Sequence, residues 1–256
     1  MKAFCYTVDD NIRFLKEIAE KRPKSIFEHP YLAMHRRLHE EFDLKVQMNL
    51  FYCMDGFDLS QMPSDYSNEW AENASWLKLS FHSKLENVRP YEQSDYQEVF
   101  TDCRAVHNEI LRFASPSSLA NTTTIHYCQT THEGLQALRK NNVKGLLGLF
   151  GSPENPATSY SITSEDAIRL RSGELFTDDG LTYGAIDLIL NLYSKEEILA
   201  QLKQMENRSS VRVMIHEQYY YEDYKNYQSN FEQKLRTAFS FLNESGFHSK
   251  FFEDII

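Results

Sequence analysis

The chain has 256 residues, of which 41% are apolar and 25% charged, a composition typical of globular proteins and not of disordered or fibrous ones. Its 27 Lys and Arg residues are outnumbered by 37 Asp and Glu residues, and the net charge of −10 argues against a protein that binds nucleic-acid phosphates. No apolar run approaches the roughly 18 residues of a membrane span. We therefore expect one domain over residues 1–256, long enough to bury a core without disulfides.

The cysteines and the first residues bear on the cellular compartment. Four cysteines are widely spaced and form no CxxC pair, so the pattern favours neither a zinc ribbon nor a disulfide framework. The first apolar run is too short for a signal peptide and is followed at once by acidic residues, at positions 9 and 10. Both observations predict a cytoplasmic protein with reduced thiols.

Short apolar runs rich in β-forming residues alternate with longer helical patterns along the whole chain. The predicted strands are 3–8, 46–53, 77–81, 122–128, 146–150, 186–190 and 211–215. The predicted helices are 12–19, 31–42, 67–76, 94–113, 132–141, 195–205 and 224–243. The segment 153–183 is predicted to be irregular, with a hairpin signal at Asp179-Gly180.

This alternation indicates parallel strands joined by right-handed crossovers, and therefore an α/β fold. About seven such units in this length fit a (β/α) barrel better than an open sheet. In such barrels the active site is built at the carboxyl ends of the strands. The residues that follow each predicted strand are therefore the candidates for function.

Carboxylates and imidazoles follow four of the predicted strands. They are Asp9 and Asp10, then His82 with Glu86, then His126 with His132 at the next helix start, and finally His216 with Glu217. These side chains bind divalent metals and transfer protons. Each alone has a simpler explanation, since an Asp after a strand commonly caps a helix and a lone His is commonly a structural polar residue. Their convergence on one rim favours a metal site.

The motifs resemble those of the polysaccharide deacetylase superfamily, also called carbohydrate esterase family four or the NodB-like fold. The resemblance rests on the Thr-Val-Asp-Asp of residues 7–10, the His-Ser-Lys-Leu-Glu of residues 82–86 and the Ile-His of residues 215–216. That family has Thr-Phe-Asp-Asp, His-Ser-x-x-His and Leu-His at the corresponding places. The resemblance implies a distorted (β/α) barrel of seven or eight strands.

Carried over to this chain, the resemblance implies a metal-dependent hydrolase that removes N-acetyl groups from a sugar or sugar precursor. Asp9 would be the general base, Asp10 and His82 metal ligands, and His216 the general acid. The implied cofactor is a divalent metal, with zinc in first place and manganese, iron or cobalt as alternatives. The partner would be the N-acetylated sugar; the oligomeric state stays open.

Two positions depart from the family pattern. Glu86 stands where the family has its second histidine, and we expect Glu86 to be the third metal ligand, with His126 or His132 as the alternative. The family's Arg-Pro-Pro-Tyr type sequence is absent, and its place is taken by Ile-His-Tyr-Cys at residues 125–128. The arginine that would orient the catalytic aspartate is therefore missing.

Tyrosines near the predicted rim favour a sugar ligand, because their rings can cover sugar C–H surfaces. We expect Tyr219, Tyr127, Tyr52 and Glu217 to contact substrate, while loop packing or a subunit contact would explain the tyrosines equally well. Two other functions remain open. One is a metal-independent glycoside hydrolase that uses Asp9 and Glu217, and the other is a catalytically inactive barrel that binds saccharide.

Overall fold

The computed structural model describes residues 2–86, 91–151 and 159–256. The strands are β1 (Lys2–Asn11), β2 (Val46–Met54), β3 (Phe57–Asp58), β4 (Leu77–Leu85), β5 (Thr122–Thr123), β6 (Gly145–Gly148), β7 (Phe176–Asp178), β8 (Leu181–Ala185), β9 (Leu188–Ile189), β10 (Ser210–His216) and β11 (Phe247–Ser249). The helices are α1 (Arg13–Lys21), α2 (Pro30–Phe42), α3 (Ser67–Asn73), α4 (Tyr96–Phe113), α5 (His132–Lys140), α6 (Ser164–Arg171), α7 (Lys195–Gln204) and α8 (Phe231–Glu244). No helix in these ranges is both long and apolar enough to cross a lipid bilayer.

The strands form a distorted α/β barrel made of two sheets. The larger sheet runs β3-β2-β1-β10-β9, with β4 on the far side of β2 and β11 beside the start of β1, and we call it the long sheet. The smaller runs β5-β6-β8-β7, and we call it the short sheet. All pairings are parallel except those of β3 with β2 and β7 with β8. The expected mixed α/β architecture with parallel strands is therefore confirmed.

Two seams join the sheets without a continuous strand ladder in the described residues. At one seam the backbone N–H of Ala120 donates to the carbonyl of Leu79, at 2.9 Å, where β5 approaches β4. At the other, the backbone N–H of Asp187 donates to the carbonyl of Arg212, and the Asp187 carboxylate accepts from the backbone N–H of Arg212, both at 2.8 Å. The Asp187 carboxylate also pairs with the guanidinium groups of Arg208 and Arg212, at 2.7 and 3.2 Å. These contacts join the two sheets where the strand pairing is interrupted.

Every predicted strand has a counterpart, but two predictions about the short sheet are wrong. The predicted strand 122–128 ends at Thr123, and a 3-10 turn at His126–Cys128 replaces its second half. The predicted irregular segment contains α6, β7 and β8 in its described part, while residues 152–158 lie outside the described residues. Of these elements, α6 and β7 carry few buried apolar side chains, so their hydrophobic pattern is weak.

The hairpin signal at Asp179-Gly180 is confirmed. Asp178 pairs with Leu181 across the turn, and Asp179 and Gly180 take φ values of 44° and 78°. Positive φ at both central residues is what a tight two-residue hairpin requires.

The last helix begins at residue 231 and not at 224 as predicted. The tyrosine-rich segment before it forms successive turns, in which the N–H groups of Tyr224 and Tyr227 donate to the carbonyls of Tyr221 and Tyr224. Phe239 of α8 packs on the barrel wall, with its ring 5.8 Å from that of Phe4 and 5.0 Å from that of Tyr6. The helix thus closes the apolar layer outside β1.

Candidate metal centre

Asp9 and Asp10 are consecutive residues, yet both line one cavity at the carboxyl end of the barrel. In a regular strand their side chains would point to opposite faces. Here residues 8–11 of β1 span the same length as residues 48–50 of β2, so β1 contains one extra residue. This β-bulge turns both carboxylates to the same side, as bulges beside functional sites commonly do.

Two features stabilise the bulge. Asp10 has a φ of 61°, in the left-handed region that a non-glycine residue enters only when its surroundings hold it there. The buried side-chain amide of Asn11 donates to the carbonyls of Val8 and Asn49, at 2.6 and 3.1 Å. These carbonyls would otherwise lose partners at the register shift.

His82 lies at a second bulge. Leu50 of β2 pairs with Phe81 of β4, whereas the next residue, Phe51, pairs with Ser83. His82 is therefore the extra residue of β4, and its side chain enters the same cavity. Asp10 and His82, the first two candidate ligands, are therefore both positioned by β-bulges in long strands.

His126 reaches the cavity from the loop after β5. The 3-10 turn that carries it contains two left-handed residues, Tyr127 with a φ of 61° and Cys128 with a φ of 53°. A strand through this segment would have carried the imidazole further along the barrel wall. The turn places it beside His82, with the two ring centroids 5.0 Å apart.

A compact triad is formed by Asp10, His82 and His126. Among the described residues, it is the one group of three or more side chains close enough together to bind a metal ion. Asp10 Oδ1 lies 3.0 Å from His82 Nε2 and 3.3 Å from His126 Nδ1, and the two nitrogens are 3.1 Å apart. Three ligands at about 2.1 Å from a tetrahedral cation would be about 3.4 Å from one another. Two facing nitrogen lone pairs also require a proton or a cation between them. The donor set of two imidazoles and one carboxylate fits zinc.

The atoms behind the triad fix its orientation. The Nδ1–H of His82 donates to the Thr124 carbonyl, which leaves Nε2 to face Asp10. Gln218 donates from Nε2 to the second oxygen of Asp10, at 2.6 Å. Such outer contacts set the tautomer and direction of metal ligands. The Nε2 atom of His126 has no hydrogen-bond partner among the described residues.

Charge and burial act in opposite directions on the triad. Burial alone would raise the pKa of Asp10, but the adjacent imidazoles of His126 and His82 hold it well below its ordinary value. Burial alone would lower the pKa of His82, but the carboxylates of Asp9 and Asp10 raise it. The site therefore keeps a buried carboxylate charged and attracts positive charge.

Asp9 and His216 lie opposite each other on adjacent strands, as register partners of β1 and β10. Asp9 accepts a hydrogen bond from Asn49 Nδ2 at 2.6 Å, and burial raises the pKa of Asp9 despite the opposing effect of His82 and His216. The Nδ1–H of His216 donates to Asn191 Oδ1 at 2.9 Å, and this bond fixes the orientation of the imidazole ring. Both side chains line the cavity that contains the triad.

The cavity has a volume of about 340 Å³, and a neighbouring groove of about 380 Å³ shares Asp10, Glu86, Gln218 and Tyr224 with it. Together they form an open cleft across the carboxyl end of the barrel. These volumes lie in the range of small-molecule binding sites.

The same fold occurs in solved carbohydrate-active proteins. A family 4 acetyl xylan esterase from Clostridium thermocellum, in complex with a cobalt ion, matches with a TM-score of 0.56 and 10% identity, over 99% of this chain and 90% of that one. A peptidoglycan N-acetylglucosamine deacetylase matches with a TM-score of 0.56 and 9% identity, over 99% of this chain and 87% of that one. The chain has the polysaccharide deacetylase fold.

Members of this fold differ in activity. A family 4 pseudoenzyme from Bacillus anthracis also matches, with a TM-score of 0.51 and 10% identity, over 99% of this chain and 64% of that one. No protein-family model matches the chain, and no curated protein matches it. At such low identities the likeness establishes the deacetylase fold, and the activity depends on the side chains of the site.

Two predicted ligands lie outside the triad. Glu86 lines the cavity, and burial followed by the charge of Asp10 raises its pKa, but its carboxylate is not in the ligand group. His132 begins α5 and pairs through Nε2 with the side chain of Gln136 on the outside of that helix. Of the residues considered for the third position, the structure brings only His126 against Asp10 and His82.

Glu217, a predicted substrate-binding residue, is not among the residues that line the cavity. Its carboxylate is fully buried and accepts hydrogen bonds from the backbone N–H groups of Ile12, Arg13 and Phe14, at 2.7 to 3.0 Å. Tyr221 donates a fourth, at 3.0 Å. Glu217 thus caps the start of α1, whose own N-cap residue offers no side chain for this purpose. Burial raises the pKa of Glu217 to about 7 against the effect of these donors.

The three predicted substrate-binding tyrosines separate into two groups. Tyr219 and Tyr127 line the cavity, and Tyr127 is 56% exposed with its ring 4.1 Å from that of His126. Tyr52 is not among the residues that line the cavity or the neighbouring groove. The structure therefore brings Tyr127 and Tyr219, but not Tyr52, to the cavity.

Three polar residues at the site were absent from the sequence predictions. Asn49, Asn191 and Gln218 bind Asp9, His216 and Asp10 respectively. For Asn49 a signal exists, because Gln47 and Asn49 occupy alternate positions of an otherwise apolar strand. Asn191 and Gln218 lie in short turns, where no periodic pattern marks them.

Proposed function

We propose that the chain is a metal-dependent hydrolase that removes N-acetyl groups from a sugar or sugar precursor. The observation that supports this most is the triad of Asp10, His82 and His126, with three ligand atoms 3.0 to 3.3 Å apart beside a buried carboxylate and a histidine. The similar fold of the acetyl xylan esterase and the peptidoglycan deacetylase supports the same reaction class. Zinc is our first choice of metal, with cobalt, manganese and iron as alternatives.

In this proposal Asp10, His82 and His126 hold the cation. When bound, a divalent cation polarises a carbonyl group and lowers the pKa of water to about 7. Asp9 takes the proton from the attacking water at Oδ2, since Oδ1 is engaged by Asn49. His216 protonates the leaving amine, with Asn191 fixing its ring.

Tyrosines at the rim of the cavity support a sugar as the substrate. Tyr127 and Tyr219 offer ring faces to sugar C–H groups, and the open cleft leaves room for neighbouring units. All four cysteines are free thiols in the structure, which fits a reducing compartment, and we place the reaction in the cytoplasm.

Acetate release from N-acetylglucosamine tetramer tests the proposal. We expect release by the purified protein, loss of release after chelation, and recovery when zinc or cobalt is added back. Asp9→Asn should retain metal and lose more than about 100-fold in kcat, because the general base is removed. Release that is unaffected by chelation, or by Asp9→Asn, would contradict the proposed chemistry.

A second candidate function is supported by one specific comparison. The pseudoenzyme among the similar structures, together with Glu86 in place of a histidine and the missing arginine, fits a barrel that binds saccharide without turnover. In that case the tetramer would bind equally to the unaltered chain and to Asp9→Asn, and no acetate would appear with any metal.

A further inference from the structure

A line of buried polar side chains crosses the barrel interior and ends on Asp9. Thr122 Oγ1 donates to Gln47 Oε1 at 2.9 Å, and Gln47 Nε2 donates to Asn49 Oδ1 at 2.9 Å. Asn49 Nδ2 then donates to Asp9 Oδ1 at 2.6 Å. Each of the four residues is at most 2% exposed, so solvent does not compete for these bonds.

The direction of every bond in this line is fixed by one backbone carbonyl. Gln47 Nε2 also donates to the carbonyl oxygen of Thr122, at 2.9 Å, and a carbonyl can only accept. The amide of Gln47 therefore cannot be reversed, and Asn49 must present Oδ1 to it. The Nδ2 group of Asn49 is consequently held against the Asp9 carboxylate.

The line is unusual for a barrel interior. Strand alternation puts Gln47 and Asn49 of β2 on the same face, which branched apolar side chains usually fill in barrels. Buried amides without partners destabilise a fold, and here both amides have partners within the line or in the Thr122 carbonyl. A fully satisfied line of this kind holds its members in a single arrangement.

We propose that Asn49 is the positioning residue for Asp9, anchored in turn by Gln47 and Thr122. This inference rests on the proposed function, in which Asp9 is the general base. The chain has no arginine at residues 125–128 to orient this aspartate, and a neutral amide from the neighbouring strand does so instead. By holding Oδ1, Asn49 leaves Oδ2 as the oxygen that receives the proton.

Asn49→Leu removes the donor while keeping a similar volume. On N-acetylglucosamine tetramer we expect kcat to fall about 10- to 100-fold, with KM changed less than about threefold and zinc content unchanged, because displaced reacting groups lose about this much. Gln47→Met keeps Asn49 and removes its anchor, and we expect a several-fold fall in kcat alone. An Asn49→Leu protein with full kcat would overturn the proposal.

Ser80→Ala is the matched control. Ser80 is 1% exposed and donates to the same Thr122 carbonyl at 2.8 Å, but it does not lie between that residue and Asp9. We expect Ser80→Ala to lower stability and leave kcat unchanged. An equal loss of kcat in Ser80→Ala would show that any disturbance of the interior suffices, and would refute a positioning role.

A crystal structure of Asn49→Leu separates this inference from the proposed function. We expect the Asp9 carboxylate to leave its present position even if the unaltered protein releases no acetate. If Asn49→Leu does not fold, the structure of Gln47→Met serves instead, with a reversed Asn49 amide or a moved Asp9 as the expected result. An Asp9 side chain in its original place in the variant structure would overturn the inference.

Discussion

The long and short sheets contribute to the site in different ways. The main strands of the long sheet, β1, β2 and β4, have nine or ten residues each, and the sheet supplies Asp9, Asp10, His82 and His216. The strands of the short sheet have two to five residues, and it supplies His126 from the loop after β5. In the long sheet, strand pairing and its β-bulges fix the position of each side chain. A short strand leaves the position of a side chain to the turn that follows it.

The largest expected effect concerns the third metal ligand, where the two sheets make competing contributions. We expect His126→Ala to abolish zinc retention, because it removes a nitrogen that faces both Asp10 and His82. Glu86→Gln, from the end of the long sheet, should retain zinc, since its carboxylate lies outside the triad. The zinc content of each variant after gel filtration distinguishes the two candidate ligands. Zinc retained by His126→Ala and lost by Glu86→Gln would make Glu86 the third ligand.

The seam between the sheets should contribute most to stability. Asp187→Asn leaves the buried Arg212 without its ionic partner, and we expect unfolding in urea to be easier by about 3–5 kcal/mol. Asp179→Asn is the control, because its ion pair with Arg139 is exposed and should contribute at most about 1 kcal/mol. Similar losses in both variants would mean that the seam is not held by Asp187.

A buried histidine in the helical layer outside the long sheet should make the free energy of unfolding depend on pH in the acid range. His35 of α2 is fully buried, its Nδ1–H donates to the Tyr31 carbonyl, and burial lowers its pKa from 6.5 to about 4. Between these values the unfolded chain binds the proton and the folded chain does not. The free energy of unfolding should therefore fall as the pH drops from 6.5 to 4, with a contribution of about 3 kcal/mol from this group.

His35→Leu should lose that contribution, so its urea midpoint should change less between pH 6.5 and pH 4.5 than that of the unaltered chain. His248→Gln, at an exposed position, is the control and should keep the original dependence. An unchanged slope in His35→Leu would show that the burial of this imidazole does not govern acid stability.

The smallest expected effect tests the loop after β10. Gln218→Leu removes the donor to Asp10 Oδ2, and we expect zinc affinity to fall about 10-fold while all three ligands remain. Competition with a chelating dye measures this change. Affinity equal to that of the unaltered chain would mean that Asp10 is oriented by its bulge alone.

The two sheets also differ in how much of the fold and of the site could be predicted from the sequence. The apolar runs of β1, β2, β4 and β10 and the residues that follow them predicted the fold and the positions of Asp9, Asp10, His82 and His216 at one rim. The bulges that aim the side chains at each other depend on strand pairing over long sequence distances, and no local pattern encodes that register.

His126 and Glu217 show why the remainder could not be predicted. His126 stood as one alternative for the third ligand, and only the left-handed turn at Tyr127 brings it to His82. Glu217 follows a strand just as His216 does, but it binds the start of α1, more than 200 residues away in sequence. The one available signal was that α1 has no capping side chain of its own.

Anomalous diffraction from crystals grown with zinc would show whether residues of both sheets bind the same cation. We expect a single strong anomalous peak bonded to Asp10 Oδ1, His82 Nε2 and His126 Nδ1, with Glu86 outside coordination distance. A peak bonded to Glu86 in place of His126, or no peak between Asp10 and His82, would contradict this expectation.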